Sequence, residues 1–96
     1  MATAINSGFR AEIFNLAVDN SAWTPLTVTD KINNICIRIR EAAGDLKISL
    51  DAAGATYFTV PQGTCFTIDW YTNKETAIYI KASVATATAE IFVTYA

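Results

Sequence analysis

The most regular segment of the chain reads Ile35-Cys36-Ile37-Arg38-Ile39-Arg40, with an isoleucine at every second position. A period of two indicates a β-strand with one buried face, because successive side chains of a strand point to opposite sides. The alternation recurs in three other segments, around Leu46, Ile48 and Leu50, around Phe66, Ile68 and Trp70, and around Ala89, Ile91, Val93 and Tyr95. The sequence therefore predicts a β-domain.

Turn-forming residues separate these segments, and no segment has the periodicity of a helix. Pro61-Gln62-Gly63 predicts a tight turn, because Pro fixes φ and Gly permits a positive φ. About eight short strands in one domain need two packed sheets or closure to protect their edges. We expect an all-β, antiparallel β-sandwich, jelly-roll-like, although an immunoglobulin-like strand order stays open. The strands are predicted at residues 9–18, 22–29, 33–40, 45–51, 55–60, 64–71, 76–82 and 87–95.

The chain has 96 residues, which is the length of one domain. We expect a flexible N-terminal arm at residues 1–8 and a single β-sandwich domain at residues 9–96. Charged residues make up 17% of the chain, below the usual ~25%, which favours a surface partly covered by partners. The net charge of −2 argues against nucleic-acid binding. Neither a membrane-spanning run nor a secretory signal is recognisable, so synthesis in a cytoplasm is expected.

The sequence offers little reactive chemistry. It contains no histidine, so a catalytic Cys36 or Cys65 would lack the usual base. Because nothing marks the chain as exported, we expect two free thiols, with a disulfide as the alternative. The aspartates match no calcium-binding loop. We expect no catalytic residues, no metal and no cofactor, and hence a protein that is not an enzyme.

The segment 9–18 departs from strict alternation, because apolar residues fall on both of its faces. One interpretation is a strand buried on both sides or a bulge, and the other is a strand in a subunit interface. We expect a homo-oligomer, with a trimer favoured and a dimer possible. The candidate interface residues are Ile13, Phe14, Leu16 and Val18.

Aromatic residues divide between a predicted core and a predicted surface. Trp70 shares its parity with Phe66 and Ile68, so it is expected in the core. Tyr57 and Tyr79 fall on outward parity, so they are candidates for a binding face or for the rim of a sheet. Trp23 is expected in the core, with exposure on a binding face as the alternative. Together with Ile5 of the arm, these three form the candidate partner-binding surface. The residues expected to be buried together are Ile37, Ile48, Phe66, Ile68 and Ile91.

Five segments resemble small structural proteins of tailed bacteriophages, and the resemblance covers roughly residues 22–95. They are Trp-Thr-Pro-Leu-Thr-Val at 23–28, Ile-Cys-Ile-Arg-Ile-Arg at 35–40, Tyr-Phe-Thr-Val-Pro-Gln-Gly at 57–63, Ile-Tyr-Ile-Lys-Ala at 78–82 and Ala-Glu-Ile-Phe-Val-Thr-Tyr at 89–95.

The resemblance implies a virion component of the capsid cement, or decoration, type. Such proteins are antiparallel sandwiches that assemble as dimers or trimers. They bind the major capsid protein where capsomers meet and reinforce the shell. The implied location is the capsid surface, after synthesis in the host cytoplasm. The alternative is a small head or tail accessory β-domain that acts as a carbohydrate- or protein-binding module.

Overall fold

The computed structural model describes residues 10–28, 32–40, 44–72 and 76–95, with the backbone alone at residues 10, 28, 70–72 and 76. These ranges contain strands and no helix, and each predicted strand is present with ends within two residues of the prediction. The strands are β1 (Arg10–Val18), β2 (Thr24–Val28), β3 (Ile32–Ile39), β4 (Leu46–Ser49), β5 (Tyr57–Val60), β6 (Phe66–Thr72), β7 (Thr76–Ala82) and β8 (Ala87–Tyr95).

The strands form two antiparallel sheets of four. Sheet A has the order β1-β8-β3-β6, and sheet B has the order β2-β7-β4-β5. The first strand pairs with the last, and each following strand pairs with the one before that partner, which gives the pairs β1–β8, β2–β7, β3–β6 and β4–β5. This is the strand order of a jelly roll. The predicted antiparallel β-sandwich is confirmed, and the strand order distinguishes it from an immunoglobulin-like sandwich.

The core lies between the inner faces of the two sheets. Alternate residues of the central strands fill it: Ile35 and Ile37 of β3 are each 1% exposed, and Ile91 and Val93 of β8 are fully buried. From sheet B, Ile80 of β7 packs against them. Each such side chain contributes roughly 1.5–3 kcal/mol on burial. The period-two pattern therefore identified the core of the central strands correctly.

At the edge of sheet A, the predicted core is partly wrong. Ile37, Ile48 and Ile91 are buried as expected, but Phe66 is only partly buried and Ile68 is 39% exposed. Ile68 has the correct parity, because it pairs with the buried Ile35. It is exposed because β6 is an edge strand and the strand that faces it, β5, has only four residues. The predicted core position of the Trp70 side chain lies outside the described part.

Cys36 and Cys65 form a disulfide, so the expectation of free thiols is wrong. The strand order explains the pairing. Cys36 on β3 lies opposite Thr67 on β6, which places Cys65 at the adjacent diagonal position. Their Cα atoms are 6.7 Å apart, within the span that a disulfide bridges. The bond fastens the start of edge strand β6 to the centre of sheet A.

The turn predicted at residues 61–63 is present before β6. The Thr64 N–H donates to the Pro61 carbonyl at 3.1 Å, and Gly63 has a φ of 82°. An L-residue with a side chain rarely adopts this left-handed conformation, so glycine is required there.

Candidate binding surfaces

The candidate sites among the described residues are exposed surfaces of the two sheets and one edge of the sandwich. Within the described ranges, no group of three or more potential metal ligands comes together. No helix there is long and apolar enough to cross a membrane. Three exposed clusters of side chains remain as candidates: one on the outer face of each sheet and one at an edge of the sandwich.

An apolar stripe crosses the outer face of sheet A. It consists of Ile13, Phe92, Cys36 and Cys65. Ile13 on β1 lies opposite Phe92 on β8, which in turn lies opposite Cys36 on β3. Ile13 is 63% exposed and Phe92 is 43% exposed. All four residues line a shallow cavity of about 360 Å³. Exposed apolar groups that adjoin one another in this way are typical of contact surfaces.

A charged cluster borders the apolar stripe. Nε of Arg38 and Nε of Arg40 each donate to a carboxylate oxygen of Glu90, both at 2.8 Å. The hydrogen bond from Arg40, followed by that from Arg38, holds the pKa of the Glu90 carboxyl below its ordinary value of 4.5. Glu90 therefore stays ionised and keeps the two guanidinium groups in place beside the stripe.

The four predicted interface residues of β1 fall on two faces. Val18 is 4% exposed and belongs to the core, and Phe14 and Leu16 are partly buried against it. Ile13 alone of the four points to the outer face of sheet A. The strand is thus apolar on both sides, and the side available to another molecule is the one that carries Ile13.

The second surface lies at the edge of the sandwich that the edge strands β5 and β6 form. It consists of Leu50, Phe58 and Ile68, which are 71%, 55% and 39% exposed. The rings of Phe58 on β5 and Phe66 on β6 are 4.9 Å apart between centroids, so the two edge strands face each other. These residues line a cavity of about 380 Å³. Sequence reasoning missed this edge, because the alternation that contains Leu50 and the one that contains Ile68 both indicated the core.

The third surface is an aromatic–lysine face on the outside of sheet B. It consists of Trp23, Lys47, Tyr57 and Lys81. The Trp23 and Tyr57 rings lie 6.0 Å apart at an angle of 47°. Nζ of Lys47 is 5.0 Å from the Tyr57 ring centroid, and Nζ of Lys81 is 5.5 Å from that of Trp23. These distances are those of cation–π contacts.

Two turns hold the aromatic–lysine face in shape. Before Trp23, the Ser21 N–H, the Ser21 hydroxyl and the Ala22 N–H donate to Oδ1 of Asp19 at 2.9, 2.9 and 3.1 Å. The Ser21 N–H is the largest cause of the lowered pKa of Asp19, and Lys81 adds a smaller effect. On the other side, Gly54 has a φ of 68°, and a Cβ there would overlap the Trp23 indole ring.

The turn that carries Gly54 is itself anchored in the sheet. Ser49 is a buried polar residue, 2% exposed. Its hydroxyl donates to the Thr56 carbonyl at 2.8 Å and accepts from the Asp51 N–H at 3.1 Å. The Gly54 N–H donates to Oδ1 of Asp51 at 2.7 Å. These bonds fix the turn against the Trp23 ring.

The structure thus brings together part of the predicted partner-binding surface. Trp23 and Tyr57 are in contact, and Tyr79 lies opposite Ser49, which also lies opposite Tyr57. Ile5 lies outside the described residues. Sequence reasoning missed Lys47 and Lys81, although their parity, opposite to that of Ile48 and Ile80, places them on the outer face.

In comparisons of the sequence with known proteins, no protein-family model and no curated protein matches this chain.

Proposed function

We propose that the chain is a capsid cement, or decoration, protein of a tailed bacteriophage. It assembles as a homo-oligomer, binds the major capsid protein on the outside of the virion and stabilises the shell. It is made in the host cytoplasm. The observation that carries the proposal is the apolar stripe, which leaves Ile13 and Phe92 exposed on a sheet whose inner face is already filled.

The stripe supports assembly for a physical reason. Two large apolar side chains held side by side on a rigid sheet lose their contact with water when a second copy covers them. A symmetric oligomer then presents several copies of every other surface to the capsid. Weak contacts made in parallel exceed the single-contact affinity by about 10²–10⁴ when the geometry permits simultaneous binding.

The disulfide supports a site outside the cytoplasm. Disulfides persist in oxidising surroundings, which include virion surfaces, and are rare where thiols are kept reduced. A chain synthesised with two thiols would form the Cys36–Cys65 bond once the particle leaves its host. The bond would then tie edge strand β6 into the sheet under the conditions in which a shell needs reinforcement.

Particle reconstitution tests the proposal. Particles are purified from cells that carry the gene and from cells in which it is deleted. We expect the chain in the first preparation in a fixed ratio to the major capsid protein. Added recombinant chain should sediment with the second preparation and raise the temperature at which it releases DNA. A chain that is absent from the first particles and stays in the supernatant of the second would refute the proposal.

The second candidate function is a carbohydrate- or protein-binding module in a head or tail accessory domain. The contact between Trp23 and Tyr57, with Tyr57 51% exposed, favours it. A half-exposed aromatic ring that a neighbouring ring holds in place is suited to the apolar face of a sugar. Calorimetric titration with oligosaccharides tests this candidate, and a Tyr57→Ala variant should lose the heat of binding.

A further inference from the structure

Two positive charges lie side by side on the outer face of sheet B. Lys47 on β4 is the direct cross-strand partner of Lys81 on β7. Like charges in directly opposite positions destabilise a sheet. Within the described ranges the ion pairs are those of Arg38 and Arg40 with Glu90, and neither lysine has a carboxylate within ion-pair distance. The two ammonium groups therefore repel each other.

Aromatic rings are the groups that these ammonium groups contact instead. Each Nζ lies over one ring, Lys47 over Tyr57 and Lys81 over Trp23. At a partly exposed site such a contact contributes only about 0.5–1 kcal/mol. Lys81 contributes to the lowered pKa of Asp19, but that carboxylate accepts its hydrogen bonds from its own turn. The two ammonium groups thus remain able to bind an anion.

The rings limit what kind of anion fits. Trp23 packs against Gly54 and is half-buried. Tyr57 is 51% exposed, so it is the ring that a ligand can contact more fully. The ligand must therefore combine a negative group for the lysines with an apolar face for Tyr57. A nucleic acid would need a larger basic surface than two lysines in a chain of net charge −2. A sugar ring that carries a carboxylate supplies both features in one unit.

From this arrangement we infer that the aromatic–lysine face binds an acidic saccharide. The sugar carboxylate lies between Lys47 and Lys81 and accepts hydrogen bonds from both ammonium groups, which removes their mutual repulsion. The C–H groups of the sugar pack on the negative face of the Tyr57 ring. The inference rests on the second candidate function. It specifies in addition that the ligand is negatively charged and that Lys47 and Lys81 bind this charge.

Calorimetry with a matched pair of probes tests the inference. The probes are an oligogalacturonate and its methyl ester, which has the same rings without the charge. We expect the acid to bind and the ester to bind at least about tenfold more weakly, because one charge-assisted bond per lysine is lost. Lys47→Gln and Lys81→Gln should each weaken the acid about tenfold and leave the ester unchanged. Arg40→Gln, which removes the same charge on the outside of sheet A, should change neither.

Each contrary result has a distinct meaning. Equal affinity for acid and ester would overturn the role of the lysines and leave the saccharide-binding candidate in place. Binding of neither probe would overturn both. An equal loss in Arg40→Gln would show that net charge alone attracts the probe, which overturns the site. Tighter binding of a polyglutamate peptide than of the saccharide would assign the face to an acidic protein. Particle binding by Lys47→Gln, measured in parallel, reports on the capsid proposal separately.

Discussion

Ile13 on β1 lies directly opposite Phe92 on β8, and both side chains point away from the core that their neighbours Phe14 and Ile91 help to fill. The pair thus gives sheet A a second apolar face at its β1 side. Because the register is fixed by the inner face, these two residues cannot turn inwards without exposing the core.

The first prediction concerns assembly through this pair. Light scattering at micromolar concentration should give a mass of two or more chains for the wild type. Ile13→Asp should shift that mass to one chain, because an interface would then bury an unpaired charge. The monomer fold should survive, since a substitution at an exposed position usually changes stability by about 0.5 kcal/mol or less.

Ala52→Asp is the matched control, because it adds the same charge at an exposed turn position away from sheet A. Its mass should equal that of the wild type. A wild type that is strictly monomeric would contradict the prediction, and so would equal dissociation by both variants.

The second prediction concerns the contact between Gly54 and Trp23. Gly54→Ala and Gly63→Ala both place a side chain at a positive φ, which costs about 1–2 kcal/mol. In Gly54→Ala the new Cβ also overlaps the Trp23 side chain, whereas a Cβ at Gly63 has no other atom within 4 Å. Urea unfolding should therefore show a larger loss for Gly54→Ala, by about 1–3 kcal/mol. Equal losses would mean that Trp23 does not pack against the turn.

The third prediction concerns the disulfide. Cys36 and Cys65 are 29 residues apart, and a bond closing a loop of that length stabilises a protein by roughly 3–4 kcal/mol in the chain-entropy model. Reductant should lower the urea midpoint of the wild type accordingly. Cys36→Ser/Cys65→Ser should unfold at the reduced midpoint with or without reductant. Two titratable thiols in the denatured, unreduced wild type would contradict the bond.

The fourth prediction concerns acid stability and Glu90. Hydrogen bonds from Arg40 and Arg38 lower the pKa of Glu90 in the folded chain below its ordinary value of 4.5. A lowered carboxyl pKa stabilises the fold above the ordinary value, and the contribution is lost as the pH falls through the folded pKa. The thermal midpoint of the wild type should therefore fall more steeply below pH 4.5 than that of Glu90→Gln. Parallel curves for the two proteins would show that the cluster does not contribute.

The sequence predicted the strands and the central core well, because alternation is a local property that a sheet must satisfy. It predicted the inward direction of Ile68 but not its exposure. Exposure depends on how far the facing strand extends, and β5 ends within four residues. Local sequence does not say which strand faces which.

Neither the pairing of the two cysteines nor the aromatic–lysine face could be derived from the sequence, and the reason is the same for both. Cys36 meets Cys65 because β3 and β6 are neighbours, and Trp23 meets Tyr57 across the outside of sheet B. Both contacts follow from the strand order of the jelly roll. Parity identified Tyr57 and Tyr79 as outward-facing, but their neighbours depend on topology.

The measurement that tests the central claim most directly is an electron cryomicroscopy map of particles from cells that carry the gene. We predict density on the outside of the shell, where capsomers meet, that fits copies of this eight-stranded sandwich related by a symmetry axis. The density should vanish from particles of the gene-deleted strain. Identical maps from the two strains, with no density for this chain, would contradict the assignment to the capsid.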